Sequence, residues 1–196
     1  AKLGVAGEDK FEGKGVSECA SCDGPLLRNR TVVVAGGGDS AMQEALVLTG
    51  NVDKVIMLER GDSLNGQAFY RDRVAENPKI EIRYNTQVAE VVGDDKVTHV
   101  RVKDVASGAE ESIETPAIFT FIGLVPNTDL VGDLVSLDET GRIKVDASMR
   151  SSAKGICAAG NVRQGSPHRA AGAMGDAAAA AVALDRYLAT GEWSGV

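Results

Sequence analysis

The period of apolar and polar positions changes several times along the chain, and each change marks an element. A β-branched run at 31–34 leads into three glycines and then into 40–49, where apolar residues recur at helical spacing and stop at Gly50. This predicts strand, turn, helix. Residues 55–58 form a second apolar strand ending at Glu59, 67–77 read as a helix stopped before Pro78, and 80–84 as a third strand. The order is the βαβαβ half of a doubly wound nucleotide-binding fold. Alternating segments at 88–92, 97–105 and 110–114 follow, separated by Gly93-Asp94-Asp95 and Ser107-Gly108, and predict a small antiparallel meander. Residues 116–121 read as a last apolar strand. Beyond Gly123 the pattern changes to loops, short strands and a final helix at 170–188. The expected class is α/β, a Rossmann-like domain with a meander over residues 1–121 and a second part over 122–196.

Composition narrows the setting. Hydrophobic residues make up 43% of the 196, an ordinary globular proportion. No run of 18 apolar residues occurs, and the alanine-rich stretch at 177–183 is too short and too small-sided to span a bilayer, so the expectation is a soluble, cytoplasmic protein without a membrane partner. The net charge of -7 argues against generic binding to nucleic acid, and Arg71, Arg73 and Lys79 read as a solvated helix face. Three cysteines fit a reducing compartment with one working pair and one buried thiol. Residues 1–8 read as the middle of a segment, and a longer parent chain is expected.

Cys19-Ala20-Ser21-Cys22-Asp23-Gly24 carries the chemistry, because a nucleotide cradle follows it closely. Two thiols at this spacing close a small disulfide and exchange it with a partner. Half of a zinc site is the bland alternative, but the further candidates are Cys157, His99 and His168, all distant. A structural staple is the other alternative, and a chain of this size buries a core without one. In the turn Gly36-Gly37-Gly38-Asp39-Ser40-Ala41, Gly36 permits the tight bend, Gly38 lets the backbone approach a pyrophosphate, and Ala41 lets helix and strand pack closely. The phosphates then meet a helix N-terminus. Glu59, about 20 residues on, suits a ribose 2′-hydroxyl and repels a 2′-phosphate, which favours NADH over NADPH. Arg60 follows it and suits a phosphate instead. An exposed strand-end charge is the plain alternative for Glu59.

Taken together, Leu3-Gly4-Val5-Ala6-Gly7-Glu8, Gly15-Val16-Ser17, the cysteine motif, the glycine turn, Ile122-Gly123-Leu124-Val125-Pro126-Asn127-Thr128 and Gly155-Ile156-Cys157-Ala158-Ala159-Gly160-Asn161 match a family. The chain resembles the carboxy-terminal two thirds of low-molecular-weight thioredoxin reductases and the similar flavoprotein reductases of peroxiredoxins. The resemblance implies an NAD(P)H-binding domain carrying the dithiol over 1–121 and, over 122–196, the smaller piece of a split FAD domain. The Gly-x-Gly-x-x-Gly fingerprint of the larger piece is absent from these residues. The resemblance places Gly123, Gly160, Asn161, His168 and Arg169 at the flavin, but with departures: Asn161 stands where the family has Asp, His168-Arg169 where it has a basic residue followed by Gln, and Ala177 where it has Gly. The family's basic residues for a 2′-phosphate are replaced by Glu59-Arg60-Gly61-Asp62.

The implied activity is a disulfide reductase in which electrons run from NAD(P)H through FAD to Cys19–Cys22 and on to a thioredoxin-like or peroxiredoxin-like protein. By the same resemblance Cys22 faces the flavin, Cys19 attacks the substrate disulfide, and Asp23 manages the proton. Asp23 reads equally as a turn residue before Gly24. Glycines at 4–7 and 123–126 suit hinges or plain tight turns. Cys157 reads as a small buried side chain, His99 as a surface residue, and His168 as a flavin-side or purely structural histidine. A noncatalytic nucleotide-binding or interaction module is the competing class, and a reductase whose missing half sits on a second chain is a third. The family's homodimers form through the FAD domain, so that expectation is discounted here.

Overall fold

Strands buried on both faces need apolar residues at nearly every position, and the runs at the start of this chain are of that kind. The structure is a computed structural model and describes residues 1–193. It divides into two units, Ala1–Gly123 and Leu124 onward. In the first, the elements are β1 (Val16–Ser17), α1 (Ala20–Asp23), β2 (Thr31–Ala35), α2 (Asp39–Leu48), β3 (Lys54–Leu58), α3 (Ala68–Ala75), β4 (Ile80–Arg83), β5 (Thr86–Gly93), β6 (Val97–Asp104), β7 (Glu110–Glu114) and β8 (Ile118–Thr120). Five strands form a parallel sheet in the order β1-β8-β2-β3-β4, and β5-β6-β7 form the antiparallel meander. The α/β class and the meander are as the sequence predicts.

Successive strand residues face opposite ways, and this alternation sorts the core into two layers. Val32 and Val34 of β2, Val55 and Met57 of β3, and Phe119 of β8 pack with Ala41, Met42, Ala45 and Leu48 of α2 and Val74 of α3. Val33, Ala35, Ile56, Leu58 and Ile118 pack on the other side with Val88, Val91, Val97, Val100 and Val102 of the meander. The parallel sheet therefore lies between a helical layer and the meander, and all these side chains are buried.

Several boundaries differ from expectation for local reasons. The strand β1 and the turn of helix after it have no counterpart in the sequence pattern; two residues show no period, and β1 exists because Val16 and Ser17 pair with Ile118 and Phe119. The helix α3 ends at Ala75 and starts after Gln67, whose backbone is extended at φ -64, ψ 143. The last strand is shorter than 116–121, since Pro116 has no N–H to donate and the Thr115 hydroxyl accepts from the Ala117 amide instead. Lys79 is not on a helix face: its ammonium donates to the carbonyls of Thr49 and Val52, just past the end of α2.

In the second unit the expected short strands are isolated bridges only, Leu137 with Ile143, Ile143 with Arg163 and Arg150 with Cys157. A small core of Val135, Ile143 and Ala158 holds it. The helix α4 (Ala170–Thr190) closes it, ended by Gly191 at φ 72, whose N–H donates to the Tyr187 carbonyl.

Candidate functional site

Parallel pairing puts the carboxyl ends of β1, β8, β2 and β3 along one edge of the first unit's sheet. Cys19 follows β1, Gly123 follows β8, Gly36 follows β2 and Glu59 follows β3. The dithiol strand lies two positions from the glycine-turn strand, about 10 Å across a sheet of ordinary spacing. Between β8 and β2 the chain order reverses, and the crevice outside the carboxyl ends at such a point is where open α/β sheets take ligands.

At one end of this edge Cys19 and Cys22 are joined as a disulfide. Cys19 is half-buried and Cys22 exposed. Cys19 caps the short α1, its Sγ accepting from the Cys22 amide at 3.3 Å. The Ser17 hydroxyl donates to Asp23 Oδ2 at 2.5 Å and accepts from the Cys19 amide at 3.1 Å. Asp23 is thereby linked, through Ser17, to the backbone amide of the first cysteine. Ser17 is absent from the residues that the sequence singles out for chemistry; its place two residues before Cys19 is the spacing at which a serine side chain caps a following amide, which is the signal that identifies it.

The three glycines meet three different neighbours. Gly36 sits at φ 123, and a Cβ there would lie 2.3 Å from the Phe121 carbonyl oxygen. A Cβ on Gly37 would lie 2.0 Å from Glu59 Oε2. A Cβ on Gly38 would meet nothing within 4 Å, so the space above that residue is open. Ala41 is fully buried beneath the turn, and Ser40 is exposed at the first turn of α2. Glu59 is buried; its Oε1 accepts from the Gly61 amide at 2.7 Å, while Arg60 beside it is exposed. Asp39, expected as a ligand contact, is turned to the loop before α3: its two oxygens accept from the Gln67 amide at 2.7 Å and the Gln67 side chain at 2.6 Å.

In the second unit, Asn161, His168, Arg169, Ala170 and Ala173 line one open cleft of ≈ 360 Å³. Gly160, the residue before Asn161, has φ 76, and His168 holds a left-handed backbone at φ 53. The Gly160 amide donates to Asp176 Oδ2 at 3.0 Å, and Arg163 grips the same carboxylate through Nε at 2.6 Å and Nη2 at 2.7 Å. Hydrogen bonding from Arg163 holds the Asp176 carboxyl below its ordinary range, and Asp176 raises Arg163 in turn. This pair fixes the turn that presents Asn161, and no local pattern marks it because the partners lie on different elements. Cys157 is half-buried, and burial pushes its thiol up. His99 is half-buried, its ring Nδ1 3.1 Å from the Thr98 hydroxyl in an exposed contact. No cluster of three or more metal-ligating side chains exists among the described residues, and no helix among them is long and apolar enough to cross a membrane.

Comparison with known proteins places this arrangement. Residues 1–177 match the family described as pyridine nucleotide-disulphide oxidoreductase. The thioredoxin reductase of Treponema pallidum is 45% identical over 189 residues, 96% of this chain and 61% of that one. A component of the alkyl hydroperoxide reductase of Staphylococcus aureus is 37% identical over 187 residues, 95% of this chain and 37% of that one. Among solved structures, the thioredoxin reductase of Lactococcus lactis superposes with a TM-score of 0.93 at 37% identity, over 96% of this chain and 63% of that one. That of T. acidophilum gives 0.90 at 38% identity, over 97% and 63%. The chain spans about three fifths of the length of the thioredoxin reductases it matches.

Proposed function

This chain belongs to the pyridine nucleotide-disulphide oxidoreductases, on their thioredoxin reductase branch, and on that premise we propose that it carries the nucleotide and dithiol portion of a disulfide reductase. Electrons pass from NAD(P)H by way of FAD to Cys19–Cys22 and on to a thioredoxin-like or peroxiredoxin-like protein disulfide. The observation that carries this reading is the placement of the disulfide and the glycine turn along one carboxyl edge of a single parallel sheet.

Each residue then has a task. The open space above Gly38 and the first-turn amides of α2 receive a pyrophosphate. The Glu59 carboxylate, oriented by the Gly61 amide, accepts from a ribose 2′-hydroxyl and repels a 2′-phosphate, so NADH is the preferred donor. In the second unit the left-handed turn at Gly160, the Asn161 carboxamide, the Arg169 guanidinium and the first-turn amides of α4 suit one side of a phosphate-bearing dinucleotide, and these residues would hold FAD there. FAD, when bound, supplies the exchange between a hydride and a disulfide, which no side chain can perform.

A hydride and one proton convert the Cys19–Cys22 disulfide to two thiols. Cys19, as thiolate, attacks the partner's disulfide and forms a mixed disulfide with it. Cys22 then displaces the partner, which departs as a dithiol while the Cys19–Cys22 bond re-forms. Asp23, held by Ser17, exchanges the proton at this pair.

Anaerobic addition of NADH to the FAD-supplemented chain tests the reading by absorbance and by thiol count. Bleaching of a flavin band together with the appearance of two thiols supports it. Binding of neither nicotinamide nucleotide to the chain sinks it.

A further inference from the structure

The loop between β3 and α3 is fastened across the glycine turn at four points. The Asn65 amide donates to the Gly37 carbonyl at 3.0 Å. The Gln67 amide and side-chain amide donate to the two oxygens of Asp39 at 2.7 and 2.6 Å. Gly66 is packed so closely that a Cβ would lie 2.4 Å from Asp39 Oδ1 and 2.2 Å from the Met42 terminal methyl. Leu64, within the loop, is buried in the helical layer of the core. At the other end of the loop the Gly61 amide holds Glu59 and the Gly61 carbonyl accepts from the Asn85 amide at 2.8 Å.

We propose that Asp39 and Gln67 are positioning residues for nucleotide choice, a clamp that holds the 60–66 loop against the glycine turn so that Glu59 faces a ribose 2′-hydroxyl in one fixed setting. This rests on the reading of Glu59 given above. A carboxylate discriminates against a 2′-phosphate only if it cannot swing away and the neighbouring Arg60 cannot take its place. Both residues belong to the stretch that the clamp closes. With the clamp open, the loop relaxes, Glu59 yields and Arg60 reaches the phosphate.

Direct calorimetric titration of the 196-residue chain with NADH and NADPH tests this without flavin. Wild type prefers NADH. In Asp39→Ala both bonds to Gln67 are lost, and the NADH preference falls about fivefold, chiefly through weaker NADH binding. In Asp39→Asn the negative charge is gone but the clamp persists, because the Gln67 amide turns over to offer its oxygen; the wild-type preference is retained. Gln67→Ala, an exposed change that leaves the turn itself intact, removes one of the two bonds and gives an intermediate loss, so the proposal stays open to refutation even where Asp39→Ala is poorly folded. Unchanged preference in Asp39→Ala and Gln67→Ala overturns the clamp, and so does an equal loss in Asp39→Asn, which would make the charge the cause. If wild type binds neither nucleotide, the clamp falls together with the function it serves. If wild type binds both with a preference that these variants keep, the clamp alone falls.

Discussion

The Glu59 carboxylate occupies the space that a side chain on Gly37 would fill, with Oε2 2.0 Å from the position of a Cβ on that glycine. The middle glycine of the turn is therefore coupled to an acid 22 positions further along the chain, counted as 59 minus 37. In Gly37→Ala the carboxylate must leave its seat beside the turn. The displaced atoms are the end of a flexible side chain, so the cost lies at the low end for overpacking, about 1 kcal/mol. Thermal denaturation should show that loss, and titration should show NADH binding weakened more than NADPH binding. Unaltered nucleotide preference would separate Gly37 from the choice of donor.

Gly36 and Gly38 should behave oppositely. Gly36→Ala forces an L residue to φ 123 against the Phe121 carbonyl, a backbone strain of about 1–3 kcal/mol before any clash is counted. Gly38→Ala has an ordinary φ of -85 and no neighbour within 4 Å, so the fold should hold to within about 0.5 kcal/mol. Its methyl fills the space kept for the pyrophosphate, and binding of either nucleotide should fall by at least about tenfold. A Gly38→Ala chain that is stable and binds normally would remove the turn from the site.

The three cysteines should react as two classes. After reduction, Cys19 and Cys22 lie at a half-buried and an exposed position, whereas burial raises the Cys157 thiol and lowers its thiolate fraction at neutral pH. A native thiol titration at neutral pH should give two fast equivalents from the reduced chain and none from the oxidised chain. The third equivalent should appear slowly or only on unfolding. A fast third thiol would contradict the assignment of Cys157 as a structural side chain.

Asp176 should set part of the acid limb of stability. Its native pKa lies below the unfolded value near 3.8, with hydrogen bonding from Arg163 as the first cause. The unfolded chain therefore binds its proton first as pH falls, and the stabilisation is full above that value and is lost as pH drops through the native pKa. Asp176→Asn should lower the melting midpoint at pH 7, and the gap to wild type should narrow below about pH 4. A gap that stays constant down to pH 3 would mean that packing, not the ion pair with Arg163, accounts for the effect.

Much of the first unit is legible in the sequence because its signals are local. The β-branched run at β2, the turn at 36–38 and the apolar spacing of Ala41, Ala45 and Leu48 on α2 each lie within one window of a few residues. The positive φ of Gly36 and the open room at Gly38 are legible for the same reason, since backbone angle and local room depend on the immediate chain. Asp39 reads as a ligand contact because it sits in the fingerprint, and nothing local says that its oxygens turn to Gln67. The start of α3 falls one residue later than expected on the same bond, which holds the Gln67 backbone extended.

By itself, the sequence determined the strand-turn-helix order, the redox pair and the acid at the end of β3, because each is written in neighbouring residues whose spacing alone selects a backbone. Tertiary structure alone decided that the pair shares an edge with the glycine turn. That edge exists because Val16 and Ser17 pair with Ile118 and Phe119, residues brought beside them only when the whole sheet forms. It also decided the partners of Glu59, Asp39 and Asp176. A hydrogen bond between distant residues follows from the closure of the intervening chain, and no periodicity in that chain records where its ends will meet.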